Sequence, residues 1–127
     1  MAVEIVKPQK TPNYLGWEER VYPTSTEFRL QVQPFLDAAV KAPSSHNSQP
    51  WGFAVLADTH QVMISPDLQR RLPESDLTDR EMYISVGAAI ANFNVAAKYF
   101  GRSPQVEFVQ MGNKVGAKIS LTTGYEP

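Results

Sequence analysis

The residues DREMYISVGAAIANFNVAAKYF, Asp79 to Phe100, form a long apolar pattern that contains no proline. They predict one helix, because Gly101 directly after them is a natural C-terminal residue of a helix. Thr78 and Glu81 stand at capping-box spacing, which predicts the start of the helix.

This helix is apolar on nearly all sides. One stripe contains Met82, Val86, Ile90, Phe93 and Phe100, and the opposite face contains Ile84, Ala88, Ala91 and Val95. A helix without a polar face is buried on both sides. We therefore expect a long buried central helix, placed either at the centre of the domain or in a subunit interface.

Short strands are predicted on either side of the helix. QVEFVQM and KVGAKISL (105–111 and 114–121) flank Gly112-Asn113, a two-residue hairpin turn, and GFAVLA and QVMIS (52–57 and 61–65) flank a second turn. An earlier helix is expected over 34–42, beginning at Pro34 and ending before Pro43, with a helical turn near Thr24 and Glu27 ahead of it. The order predicts an α+β fold, layered around a largely antiparallel sheet. We expect an N-terminal extension over 1–24 and one domain over 25–127.

Composition excludes several classes of function. The 127 residues include 12 Lys and Arg against 13 Asp and Glu, giving a formal charge of -1. Such a chain has no strong field to attract nucleic acid or an anionic membrane. The absence of cysteine excludes disulfides and thiolate metal sites, and the spacing of the two histidines argues against a zinc site, so no metal site is expected. No secretory signal or membrane span is visible, so a cytoplasmic protein is expected.

The stretch KAPSSHNSQPWGF, Lys41 to Phe53, places three hydroxyls, two side-chain amides and an imidazole within six residues. Side-chain amides can match an alternating donor-acceptor edge, such as the carbonyl-imide-carbonyl edge of a flavin or uracil. The other interpretation is structural: the polar side chains satisfy a helix end and a turn, and Trp51 belongs to the core. From the residues alone, both interpretations stay open.

Catalytic motifs of other classes are absent from the sequence. It contains no glycine-rich dinucleotide fingerprint, no Walker lysine motif and no nucleophile elbow. The carboxylates Asp67, Asp76, Asp79 and Glu81 stand mainly where helix caps or first-turn acids are expected. Arg70 and Arg71 suggest a solvated face, and His60 an exposed hairpin turn.

The motif APSSHNSQPWGF, Ala42 to Phe53, resembles the A-P-S-S-x-N-x-Q-P-W-x-F signature of the nitroreductase family of FMN-dependent oxidoreductases. The stretch Arg70 to Gly101 is similar to a second family landmark, an acidic connection followed by a long alanine-rich helix.

The resemblance implies a homodimer that holds FMN at its interface. Pro43, Ser44, Ser45 and Asn47 would line the flavin ring, with Gln49 nearby. NAD(P)H would reduce the flavin, and a nitroaromatic, quinone or similar acceptor would oxidise it. The flavin carries the hydride, so the resemblance implies no catalytic side chain.

The sequence also departs from the family pattern. Many members hold the FMN phosphate with an N-terminal arginine pair, whereas WEERVYPTS offers only Arg20. The chain resembles the N-terminal part of the family core and is expected to lack its C-terminal part. The alternative is therefore a truncated, flavin-free remnant that dimerises or binds a small ligand.

Overall fold

The computed structural model describes residues 3–6 and 27–121. Its helices are α1, α2 and α3, and its strands are β1 to β5, with these bounds: α1 Phe28–Gln31, α2 Gln33–Ala39, α3 Arg80–Tyr99, β1 Val3–Val6, β2 Trp51–Leu56, β3 Gln61–Pro66, β4 Pro104–Met111 and β5 Lys114–Leu121. Short 3-10 turns occur at Ser45–Asn47, Ala57–Thr59 and Leu68–Arg70.

The five strands form one sheet in the order β1-β2-β3-β5-β4, and every neighbouring pair is antiparallel. The α+β fold with an antiparallel sheet is confirmed. Both predicted hairpins are present, and Gly112 takes a φ of 66° at the β4–β5 turn, which glycine adopts without steric penalty. Strand β1 pairs with β2 at the sheet edge, although the sequence predicted an extension there.

One face of the sheet forms the core together with α2 and α3. Side chains alternate between buried and half-buried along β2 and β3, as expected for a sheet with one covered face. Trp51 is 1% exposed, which confirms it as a core residue. The rings of Phe35 on α2 and Phe93 on α3 meet edge to face with 5.6 Å between their centroids.

Helix α2 begins close to the predicted position. Pro34 lies in its first turn, where a missing N–H costs nothing because that group has no partner within the helix. The helix ends at Ala39, ahead of the predicted limit at Ala42, and a turn leads to Pro43. The short helix α1 follows Glu27, whereas Thr24 lies outside the described residues.

Helix α3 buries one face and exposes the other within this chain. Met82, Val86 and Phe93 of the predicted core stripe are buried. On the opposite face Ile84 is 60% exposed and Val95 is 68% exposed. Among residues 3–6 and 27–121, the second face of α3 is therefore exposed, as expected for the second of the two predicted placements, a subunit interface.

The start of α3 differs from the predicted capping box. The side chain of Asp76 accepts hydrogen bonds from the backbone N–H groups of Glu81 (3.1 Å) and Met82 (2.9 Å). Asp76 therefore accepts from two N–H groups that have no partner within the helix. The predicted capping box of Thr78 and Glu81 is wrong. The predicted end is confirmed, because Gly101 takes a φ of 83° directly after the helix.

His60 differs from its predicted exposure. It is half-buried at the β2–β3 turn, and its ring lies 4.9 Å from that of Phe28, centroid to centroid. The expectation of a solvent-exposed turn residue is therefore wrong. Among the helices that the structure describes, none has the length and apolarity needed to cross a membrane.

Candidate functional site

The loop between α2 and β2 has a strained backbone. His46, Asn47 and Gln49 have φ angles of 53°, 54° and 49°, in the left-handed region. Asparagine tolerates this region, but for most residues other than glycine it costs about 1–2 kcal/mol each. Strain of this kind persists only where the surroundings enforce it, and it concentrates at functional sites.

Gln49 provides the internal support of this loop. It is 1% exposed, and its Nε2 donates to Asn47 Oδ1 at 2.9 Å. Its backbone N–H donates to Ser44 Oγ at 3.0 Å, and its carbonyl accepts from an Arg70 Nη at 2.9 Å. Gln49 is thus hydrogen-bonded to Ser44 and Asn47, which precede it in the sequence, and to Arg70, which follows it.

The structure brings the five predicted cofactor-binding residues together in this loop, but at different depths. Pro43 and Asn47 are exposed, Ser44 and Ser45 are half-buried, and Gln49 is buried. A ligand on the surface can reach the first four, whereas Gln49 acts from behind them. Contact of these residues with a flavin stays a prediction.

The loop is joined to the start of α3. Ser45 Oγ donates to Glu81 Oε1 at 2.9 Å, across 36 positions of the sequence. Glu81 also lines a cleft of about 530 Å³, formed by residues between Glu74 and Ile84. The α3 N-terminus and the loop therefore form one continuous polar region.

Two arginines near the loop are bonded to the chain itself. Arg70 binds the Gln49 carbonyl and lies 3.6 Å from Asp67. Arg71 forms two hydrogen bonds with Asp79, and the hydrogen bonds and charge of Arg71 lower the pKa of that carboxyl below its ordinary value. The positive end of the α3 dipole is occupied by the carboxylate of Asp76, so a ligand anion would have to displace it.

A second cavity lies at the end of β2 and β3. It measures about 580 Å³, and its lining includes Met63, Met111, Lys114 and Arg70. That size suits a small molecule. None of the five predicted cofactor-binding residues lines it.

The residues that hold the loop in place are not predictable from the loop sequence. Arg70 was interpreted as a solvated residue and Glu81 as a first-turn acid, yet both bind the loop. Both contacts join positions far apart in sequence, so no local pattern could have found them. The carboxylates that were expected to cap do so at Asp67 and Asp76, since Asp67 accepts from the Gln69 N–H at 3.0 Å.

Residues 3–6 and 27–121 contain no group of three or more His, Asp or Glu side chains placed to hold a metal.

The chain is similar to curated nitroreductases. It is 36% identical over 76 residues to "Putative NAD(P)H nitroreductase acg" of Mycobacterium tuberculosis strain H37Rv, covering 60% of this chain and 22% of that protein. The similarity to "Putative NAD(P)H nitroreductase Rv3131" of the same strain is 36% over 75 residues, covering 59% and 21% of the two chains. "Probable NAD(P)H nitroreductase PigM" of a Serratia species is 35% identical over 74 residues, covering 58% and 21%.

No protein-family model matches the chain. The chain spans about a fifth of the length of the curated relatives that it matches, 22% of the first and 21% of the others. Over about 60% of its own length, the chain resembles NAD(P)H nitroreductases, in agreement with its loop motif and its α+β fold.

Proposed function

We propose that the chain provides part of an FMN-dependent oxidoreductase of nitroreductase type, which uses NAD(P)H to reduce a nitroaromatic, quinone or similar acceptor. The observation that carries the proposal is the strained loop Pro43–Gln49, whose polar groups reach the surface while Gln49 supports them from below. The resemblance to proteins named NAD(P)H nitroreductases supplies the reaction class.

The donor set of the loop fits a planar ring with polar groups at its edge. Ser44 and Ser45 offer hydroxyls at half-buried positions, and Asn47 offers an exposed amide. Pro43 offers an exposed apolar ring beside them. In the proposed site these four residues hold the cofactor, and Gln49 orients Asn47.

The cofactor supplies the hydride and electron transfer chemistry when it is bound. The chain's own residues bind and orient it, and the core behind the loop, including Trp51, fixes the position of the loop. No side chain of the loop is needed as a nucleophile in this scheme.

The exposed face of α3 supports a homodimer. Ile84, Ala88, Ala91, Val95 and Tyr99 recur at helical spacing, and Val95 and Tyr99 are 68% and 79% exposed. An exposed apolar stripe of this length is typical of an interaction surface. We propose that a second copy of the chain covers it.

The alternative, a flavin-free remnant, is favoured by the internal bonding of Arg70, Arg71 and the α3 N-terminus. Charge-assisted hydrogen bonds to a phosphate contribute much of the affinity for a phosphorylated cofactor. Under this alternative the protein dimerises or binds another small ligand.

Titration of the purified protein with FMN distinguishes the two functions. We expect stoichiometric uptake, seen as a visible absorption band that survives gel filtration. A protein that stays colourless after addition of FMN would reject the oxidoreductase and favour the remnant.

Two variants test whether the loop is the site. Asn47→Gly removes the amide and keeps the left-handed backbone, and Ser44→Ala removes the hydroxyl. Each should weaken FMN binding by about fivefold, since one hydrogen bond contributes about 1 kcal/mol. Unchanged affinity in both variants would place the cofactor elsewhere.

A further inference from the structure

The hydroxyl of Ser45 has its single hydrogen engaged. Ser45 Oγ donates to Glu81 Oε1 at 2.9 Å, and a carboxylate can only accept. A hydroxyl has one hydrogen and two lone pairs. Any further hydrogen bond that the Ser45 hydroxyl makes while bound to Glu81 is therefore one in which the hydroxyl accepts.

Ser44 and Asn47 differ from Ser45, because each keeps a side-chain hydrogen that can donate to a ligand. Ser44 Oγ accepts from the Gln49 backbone N–H at 3.0 Å, so its hydroxyl hydrogen is not used in that bond. Asn47 Oδ1 accepts from Gln49 Nε2 at 2.9 Å, which leaves its amide hydrogens to donate. The side chains of the loop thus offer a donor at Ser44, an acceptor at Ser45 and a donor at Asn47.

We propose that Glu81 is a positioning residue that fixes Ser45 as a hydrogen-bond acceptor, so that the loop selects a ligand presenting one N–H or O–H donor between acceptor groups. This inference rests on the proposed function, because the carbonyl-imide-carbonyl edge of a flavin ring has that pattern. Glu81 acts through Ser45 and needs no contact with the ligand.

Charge and hydrogen-bond polarity predict opposite effects at Glu81. FMN is anionic, so removing a nearby negative charge should tighten its binding if charge alone matters. If Glu81 fixes Ser45 as an acceptor, the same change should weaken binding because the hydroxyl becomes free to turn its hydrogen to the ligand. Whether the variant binds FMN more tightly or more weakly therefore decides between the charge effect and the hydrogen-bond effect.

The experiment measures the Kd of FMN by visible absorbance and flavin fluorescence, at fixed salt, for the full chain, five single variants and one double variant. Glu81→Leu removes the acceptor, Glu81→Lys supplies donors only, and Glu81→Gln keeps an acceptor oxygen. Ser45→Ala removes the hydroxyl. The matched control is Glu74→Leu, which removes the same charge from the same cleft, because Glu74 forms no hydrogen bond to the loop among the described residues.

We expect Glu81→Leu and Glu81→Lys to raise the Kd about five- to tenfold, as loss of one hydrogen bond implies. Glu81→Gln should remain within about threefold of the wild-type protein, and Glu74→Leu should leave the Kd equal or lower. In a Ser45→Ala background, Glu81→Leu should have no further effect, because the two residues act in series.

Equal or tighter binding by Glu81→Leu, or an equal loss in the Ser45→Ala background, would overturn the role of Glu81 while the flavin function stands. Failure of the wild-type protein to bind FMN would overturn the proposed function, and this inference with it. The thermal unfolding midpoint of each ligand-free variant separates a loss of fold from a loss of binding.

Discussion

At the scale of single residues, the loop shows how one buried amide organises several exposed groups. Gln49 has a left-handed backbone and bonds through its side chain, its N–H and its carbonyl. A buried polar side chain is stable only when it is hydrogen-bonded, so the loop and its support depend on each other.

The pair formed by Arg71 and Asp79 gives a pH-dependent contribution to stability. Arg71 lowers the pKa of Asp79, so the native state favours the charged carboxylate more than the unfolded chain does. The contribution is fully present above the unfolded pKa of about 3.9 and is lost as the pH falls through the lower native value.

Asp79→Asn tests this contribution. Asp79 has a φ of 59°, and asparagine tolerates that conformation, so the variant removes the charge with little backbone cost. Urea unfolding from pH 7 to pH 2 measures the free energy of unfolding of the variant and of the wild-type protein. The difference between the two should be constant above about pH 5 and should shrink below it. A difference that does not vary with pH would contradict the role of the ion pair.

At the scale of secondary-structure elements, the start of α3 depends on a carboxylate three residues before the N-cap. Asp76 is buried and accepts from the N–H groups of Glu81 and Met82. The capping-box pattern predicted Thr78 because it depends only on local sequence spacing. In the structure, the turn before α3 instead places the Asp76 carboxylate at the start of the helix.

Asp76→Ala and Thr78→Ala form a matched pair. The first should lower the free energy of unfolding by about 1–2 kcal/mol, because it removes the partner of two backbone N–H groups, one of them in a buried hydrogen bond. The second should change it by less than about 0.5 kcal/mol, since Thr78 is exposed. Chemical unfolding followed by circular dichroism measures both changes. A larger loss of unfolding free energy for Thr78→Ala than for Asp76→Ala would support the capping box and contradict the role of Asp76.

At the scale of the whole molecule, the exposed stripe of α3 bears on assembly. The face opposite the core is apolar at Ile84, Ala91 and Val95, and all three are exposed in the single chain. Burial of this stripe in a homodimer would remove it from water, which is the main favourable contribution to association.

Val95→Asp tests the proposed dimer. The residue is 68% exposed, so the variant should fold, but a charge buried without a partner opposes association. Light scattering after gel filtration should give a dimer for the wild-type protein and a monomer for the variant. Gln105→Asp, an exposed change on β4 with the same added charge, should remain a dimer. A wild-type monomer at all concentrations would contradict the interface.

The sequence by itself determined the elements of this protein, because their signals are local. The Gly112-Asn113 turn, the alternation along β5 and the apolar period of α3 each lie within one short segment, and the structure confirms the elements that they predict. The loop motif was visible in the same way.

Only the tertiary structure decided how these elements meet. It placed β1 at the edge beside β2, left one face of α3 exposed, and joined Ser45 to Glu81 across 36 positions. Such contacts depend on which elements pack together, and packing is a property of the whole sheet and both helices. For that reason the polar residues of the loop were predictable, while the depth of Gln49 and the direction of the Ser45 hydrogen bond were not.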